Sequence, residues 1–289
     1  MASTIEEALE CLKNPDDEAS LIAGGMVVVT LMKERILSPK KLIDISKIPE
    51  LGKISYDEKD GLTLGATATH RQIEEFPAVV KHYPSLREAF HTIGNMRIRS
   101  AGTLGGNLAY AEPQCNPPAI LAALGGMVHV LGPNGPRAIA AEDFVKDIYE
   151  SALEPGEIIT HVTVPAPRPR SSSGFCKFTA RSETDKPTAI VAVYVELDSS
   201  LKKVVECRIV VGAVGPKTYR CFAAEELVKN AEGQGRIDYA AVARKSTEEF
   251  EVIEDASGPA WYKKQTTGVF VRDLLMKTVE KGMMGERAR

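Results

Sequence analysis

Two glycine pairs carry most of the chemistry that this sequence offers. The first lies in Leu21, Ile22, Ala23, Gly24, Gly25, Met26, Val27 and Val28, and the second in Gly102, Thr103, Leu104, Gly105, Gly106 and Asn107. Paired glycines let a backbone approach a ligand closely, because no Cβ intervenes and positive φ costs little. The first pair leads straight into a segment that reads as a helix, whose first N–H groups and dipole favour a diphosphate. Thr103 and Asn107 add short polar side chains to the second. Two such bends facing each other could hold a dinucleotide diphosphate with backbone donors alone. Neither is a P-loop, since no G-K-[ST] follows, and neither has the G-x-G-x-x-G order of a Rossmann turn. A glycine pair more often marks a plain turn, so the residues alone leave both readings open.

Side-chain chemistry has little foothold elsewhere. The five histidines, His70, His82, His91, His129 and His161, show no metal-binding spacing, and no G-x-S-x-G elbow occurs. Cys11, Cys115, Cys176, Cys207 and Cys221 are odd in number and widely spaced, with no C-x-x-C. They read as reduced, mostly buried thiols rather than as disulfides, a zinc site or an iron–sulfur cluster. Any redox chemistry must therefore come from a bound cofactor.

Composition sets the outer bounds. The 289 residues are 44% hydrophobic and 26% charged with a net charge of −3, as expected of a soluble protein of about two domains. That charge gives no case for nucleic acid or an anionic membrane. No apolar run approaches the ~18–20 residues of a membrane span. The N-terminus lacks the order of a secretory signal, which favours the cytoplasm.

The elements that must position the bends are legible in outline. A capping box at Ser3–Glu7 starts a helix over Ile5–Leu12, followed by a strand at Ser20–Ala23, a helix over Met26–Arg35 and a strand at Leu42–Ile45. A hairpin joins Lys53–Asp57 to Leu62–Ala66. Thr69 caps a helix over Arg71–Phe76, and Pro84–Thr92 forms another. The glycine-rich stretch Ile93–Cys115 reads as a long functional loop, before a helix at Ala119–Leu124 and strands at Met127–Leu131 and Glu157–Val164. Prolines and serines over 167–174 read as a linker. Three strands then come at Phe175–Thr179, Ala189–Leu197 and Val204–Ala213, with helices at Cys221–Lys229, Tyr239–Phe250 and Ala260–Lys281. Strands first and helices after predict an α+β domain with helices on one face of an antiparallel sheet.

The wording of these segments goes further than their chemistry. Ala23-Gly-Gly with Leu31-Met-Lys, Leu37-Ser-Pro and Leu42-Ile-Asp-Ile resembles the opening of the FAD-binding (medium) subunits of the xanthine dehydrogenase and carbon monoxide dehydrogenase family of molybdenum hydroxylases. So do Ile93-Gly-Asn, Arg97-Ile-Arg, Gly102-Thr-Leu-Gly-Gly-Asn-Leu-Ala, Leu153-Glu-Pro-Gly-Glu-Ile-Ile159 and Gly258-Pro-Ala-Trp-Tyr-Lys. The resemblance implies an α+β fold: an FAD-binding domain over 1–166, with α/β subdomains of about 1–53 and 54–166, and a C-terminal domain over 175–289. It implies that Leu21–Val28 and Thr103–Asn107 surround the FAD diphosphate and that Ile93 packs near the flavin. Asn116 falls where relatives often carry Asp near the cofactor. Ile159 and Lys177 match positions close to the isoalloxazine, where a cation would stabilise negative charge on the reduced ring. Without the resemblance, Lys177 reads as a solvated surface lysine rather than as a cofactor contact.

Partners follow from the same resemblance. A large molybdopterin subunit and a small subunit with two [2Fe–2S] clusters would complete a heterotrimer, and the acceptor would be NAD, a quinone, ferredoxin or oxygen. Three departures stand out. Met26 and Val27 replace hydroxyl-bearing residues, Asn116 replaces an acid, and the usual first strand before the opening helix is missing. They leave room for a flavin-free structural subunit of the same complex type. A free-standing flavoenzyme would require catalytic side chains over the ring, and the sequence shows no such constellation.

Overall fold

The computed structural model describes residues 1–13, 18–231 and 237–284, so the tail of the expected C-terminal domain, 285–289, lies outside the described residues. The chain opens with α1 (Ile5–Leu12), β1 (Ala19–Ile22), α2 (Val28–Lys33), β2 (Lys41–Asp44) and α3 (Pro49–Gly52). Thr4 caps α1 by accepting the Glu7 N–H, and the Glu7 carboxylate reaches back to the Ser3 N–H at 2.7 Å. β1 and β2 run parallel, with α2 in the crossover. Ala8, Ile43, Ile48, Leu51 and Ile158 form a small core beneath them.

A five-stranded antiparallel sheet follows, its strands lying side by side in the order Ile54–Asp57, Gly61–Gly65, Ile158–Val164, Met127–Gly132 and Gly135–Ala140. Its first hairpin joins β3 (Ile54–Asp57) to β4 (Gly61–Gly65); Asp57 accepts the Lys59 and Asp60 N–H groups, and Gly61 turns the chain at φ 93°. Then come α4 (His70–Glu75), α5 (Pro77–His82), α6 (Pro84–His91), α7 (Met96–Ala101), α8 (Leu104–Tyr110) and α9 (Asn116–Ala123). Ile93–Cys115 is thus not one irregular loop: it holds two short helices, each with a side-chain cap from Asn95 or Thr103. β5 (Met127–Gly132), β6 (Gly135–Ala140), α10 (Ala141–Phe144), β7 (Val145–Asp147), β8 (Glu150–Ser151) and β9 (Ile158–Val164) complete this part.

The last part is the α+β unit that the element order predicts. β10 (Ser171–Phe178), β11 (Ala189–Leu197), β12 (Val204–Gly212) and β13 (Tyr219–Arg220) form an antiparallel sheet in sequence order. β10 begins at Ser171, inside the segment that composition marks as linker, because Ser171–Gly174 already pair with Val193–Glu196. α11 (Phe222–Lys229), α12 (Tyr239–Ser246) and α13 (Ala260–Met284) cover one face. The other face gives Phe175, Ile190, Ala192 and Val210 to the core of the middle part. A strand buried on both sides needs apolar residues at every position, which is why β11 opens Ala-Ile-Val-Ala-Val. α9 is buried at all eight positions for the same reason, packed among α6, β11 and β12.

Candidate functional site

The first glycine bend joins β1 to α2. Gly25 takes φ 70°, a left-handed conformation that a Cβ would strain. Gly24 lies directly on the second bend, where an added Cβ would overlap the Ala101 carbonyl and come within 3.2 Å of the Gly102 Cα. The two bends therefore meet. Val27 occupies the N-cap position of α2 without any side-chain cap, and the N–H groups of Gly24, Gly25, Met26, Val27 and Val28 find no acceptor among the described residues. Main-chain donors left open at a bend and helix start, within reach of the cleft, are available to an anion. α2 spans only six residues, so the bend amides offer more to an anion than the helix dipole does.

The second bend is built differently from the expectation. It is the first turn of α8, docked on the chain between β4 and α4. Leu104 N–H donates to the Ala68 carbonyl at 3.0 Å and Gly105 N–H to the Ala66 carbonyl at 2.7 Å. Thr103 Oγ1 accepts the Gly106 N–H, and the Thr103 carbonyl accepts the Asn107 N–H. The N–H groups of Gly102 and of Leu104 to Asn107 are thus engaged within the protein, that of Thr103 finds no acceptor among the described residues, and a symmetric pair of amide cradles does not form. Gly105 is glycine for packing, since a Cβ there would stand 2.8 Å from that of Ala66. What this bend presents to the cleft is smooth backbone together with Thr103, Gly106 and Asn107. Asn107 donates to the Cys115 sulfur at 3.2 Å, while its Oδ1 is buried with no partner among the described residues.

Two cavities of about 380 and 320 Å³ meet at this contact. Both are lined by Leu21, Ala23, Val27, Val28, Thr103 and Gly106, so they form one cleft passing the bends on either side. Gly105 and Ile159 line the first arm, and Gly24, Gly25, Met26, Ile93 and Asn107 the second. Four expected residues line neither arm. Ile22 packs under Gly25, and Leu104 is fully buried in the core. Asn116 gives its amide N–H groups to the Ala89 carbonyl at 2.8 Å and Thr92 Oγ1 at 3.0 Å. Lys177 is half-buried and donates to the Thr92 carbonyl at 2.7 Å and the Glu183 carbonyl at 2.8 Å. It is neither a solvated lysine nor part of the cleft wall. Burial lowers its pKa, against the opposing pull of Asp185 and Glu183. Asn116 and Lys177 together fix Thr92, the neighbour of Ile93, from two sides.

Comparison with known proteins decides the family. Residues 1–167 match the FAD binding domain in molybdopterin dehydrogenase, and residues 175–278 the CO dehydrogenase flavoprotein C-terminal domain. The chain belongs to the FAD-binding medium subunits of the molybdenum hydroxylase family. It is 33% identical to the nicotine 6-hydroxylase medium subunit of Paenarthrobacter nicotinovorans, over 96% of this chain and 94% of that one. It is 30% identical to the carbon monoxide dehydrogenase medium chain of Afipia carboxidovorans, over 93% and 92% of the two chains. Among solved structures, carbon monoxide dehydrogenase from Hydrogenophaga pseudoflava, in a form lacking the Mo-pyranopterin moiety, superposes with a TM-score of 0.90 at 29% identity, over 97% and 96% of the chains.

The cleft fits a flavin nucleotide on its own geometry. Free amides at Gly24–Val28 and a backbone contact that only glycine permits are features that suit a close-bound diphosphate nucleotide. His70, Tyr110, Glu112 and Lys186 also line the second arm, outside the residues that the sequence motifs single out. Lys186 pairs with the largely buried Glu112 at 3.2 Å. The two lie too far apart in sequence to announce each other. His70 had a local signal, because it follows the cap residue Thr69 where a strand gives way to a helix.

Proposed function

We propose that this chain is the electron-transfer subunit of a molybdenum hydroxylase complex. In this reading a large subunit carries molybdopterin and acts on the substrate, and a small subunit carries two [2Fe–2S] clusters. FAD bound in the cleft supplies two-electron redox chemistry between those clusters and an external acceptor: NAD, a quinone, ferredoxin or oxygen. The chain's own part is to hold and orient. The amides of Gly24–Val28 bind the diphosphate, Thr103 and Asn107 face it across the bend contact, and Ile93 and Ile159 present apolar wall. Asn116 and Lys177 hold the Thr92–Ile93 wall in place rather than touching the cofactor. The relatives' names, a nicotine hydroxylase and carbon monoxide dehydrogenases, support an oxidoreductase complex.

The observation that carries this reading is the row of unpaired amides at Gly24–Val28 against the second bend. The test is flavin content and subunit composition of the protein isolated from its native source. A yellow preparation with two further chains, one holding molybdenum and one iron, is the expected result. A flavin-free structural subunit is the second reading, favoured by the apolar Met26 and Val27 and by the engaged amides of the second bend. A purified chain that stays colourless after incubation with excess FAD would establish it.

A further inference from the structure

His70 begins α4 and lies at the bend contact, its main-chain N–H donating to the Gly102 carbonyl at 2.9 Å. The side chain is 3% exposed and its ring sits 5.6 Å from that of Phe90. Nδ1 is enclosed with no partner among the described residues. Nε2 has no protein partner among them either, yet it is not enclosed. The Cδ2–Nε2 edge reaches to 3.1 and 3.3 Å from where a Cβ on Gly102 would stand, and His70 lines the second arm of the cleft. Nothing in the fold requires a polar ring here: Phe90 and the backbone of Gly102 would accept an apolar one.

The ring is neutral. Burial and the neighbouring Arg99 guanidinium hold its pKa down at about 4. A neutral imidazole carries one proton, and a buried N–H without an acceptor is rarer and costlier than a bare acceptor atom. The proton therefore belongs on Nε2, where it points into the cleft, and the lone pair on Nδ1 faces the apolar side. That leaves one directed donor at the place where the two bends touch.

We propose that His70 is a binding residue of the cleft, donating from Nε2–H to an oxygen of the flavin nucleotide as it passes the Gly24–Gly102 contact. This rests on the reading that the cleft takes FAD. A diphosphate oxygen and a ring carbonyl oxygen are both acceptors for such a donor, and the site would read either through the same bond. The contact is neutral and directional, unlike the ion pair that a lysine would make.

The experiment measures FAD affinity of the full-length apo-chain for wild type, His70→Leu, His70→Gln and His70→Asn, with circular dichroism and thermal melts of each. The glutamine amide nitrogen falls near the Nε2 position, and that of asparagine near Nδ1. Leu and Asn should weaken FAD binding about tenfold, and Gln should recover most of the loss. Repeating the series with ADP and with riboflavin locates the acceptor: a defect carried by ADP puts it on the diphosphate, and one carried by riboflavin puts it on the ring. Equal affinity of wild type and His70→Leu overturns the proposal. So does a Gln variant as weak as Leu, since the ring would then act by shape. A wild-type chain that binds no FAD sinks the underlying reading, and this proposal with it; the first two outcomes leave that reading standing.

Discussion

The ammonium of Lys263 is fully enclosed, 2.7 Å from Asp255 Oδ2 and 2.9 Å from the Ile253 carbonyl, whereas the Asp255 side chain stays 38% exposed. Breaking this pair from its two ends should not cost the same. Lys263→Met leaves a carboxylate that water can still reach, for a loss of about 1–2 kcal/mol, whereas Asp255→Ala strands a buried cation for about 3–5 kcal/mol. Urea midpoints of the two variants check the order, and a reversal would mean that the pair is not what anchors the start of α13. His70 gives a second residue-scale prediction. Its folded pKa of about 4 lies below the ordinary histidine value, so the unfolded chain binds more protons at mildly acid pH. The contribution is intact above about pH 6.5 and is lost as pH falls towards 4, by up to roughly 3 kcal/mol. In the apo-chain, His70→Leu should flatten the decline in stability between pH 7 and pH 5. A wild-type curve already flat across that interval would contradict it.

At the scale of elements, the bends work through contact rather than through matched cradles. Gly24→Ala forces a methyl group into the Ala101 carbonyl and must push β1–α2 away from α7–α8. The expected result is FAD affinity down at least tenfold with far-UV circular dichroism unchanged, because each element keeps its own hydrogen bonds. Undiminished binding would show that the bends need not touch for the cleft to work. This contact also marks the limit of what the sequence discloses. β11 and α13 are legible because long runs of consistent period or burial fix them. The glycine pairs are legible as bends because few other residues allow one. Which bend keeps its amides free is not legible. It depends on α8, a seven-residue helix whose first turn is tied to Ala66 and Ala68 from a distant part of the chain. The same dependence hides α7 and α8 inside a stretch that composition marks as loop. Lys177 and Asn116 align with cofactor positions by wording, but their hydrogen bonds turn inward to Thr92.

At the scale of the whole molecule, the C-terminal sheet completes the core that the middle part begins. Phe175, Ile190 and Val210 belong to one buried cluster with Leu86, Phe90 and Ile120. Arg220 joins the two sides electrostatically, reaching Glu142 on α10 at 3.0 Å and the buried Glu225 on α11 at 2.9 Å. Exposing those three large side chains alone costs about 1.5–3 kcal/mol each, a sizeable share of the ~5–15 kcal/mol by which such chains are stable. Residues 1–167 expressed alone should therefore aggregate or melt without cooperativity, and co-expression with 168–289 should restore a soluble pair. The consequence for the cleft is specific. The fragment keeps both glycine bends but loses the Lys177 bond to the Thr92 carbonyl and the Gln114 bond to the Pro187 carbonyl, so the wall carrying Ile93 is no longer held from outside. FAD should bind the reassembled pair with the affinity of the intact chain, and bind the fragment alone weakly or not at all. A fragment 1–167 that melts sharply and takes up FAD as the full chain does would mean that the site is self-sufficient, and that the C-terminal sheet serves only partners.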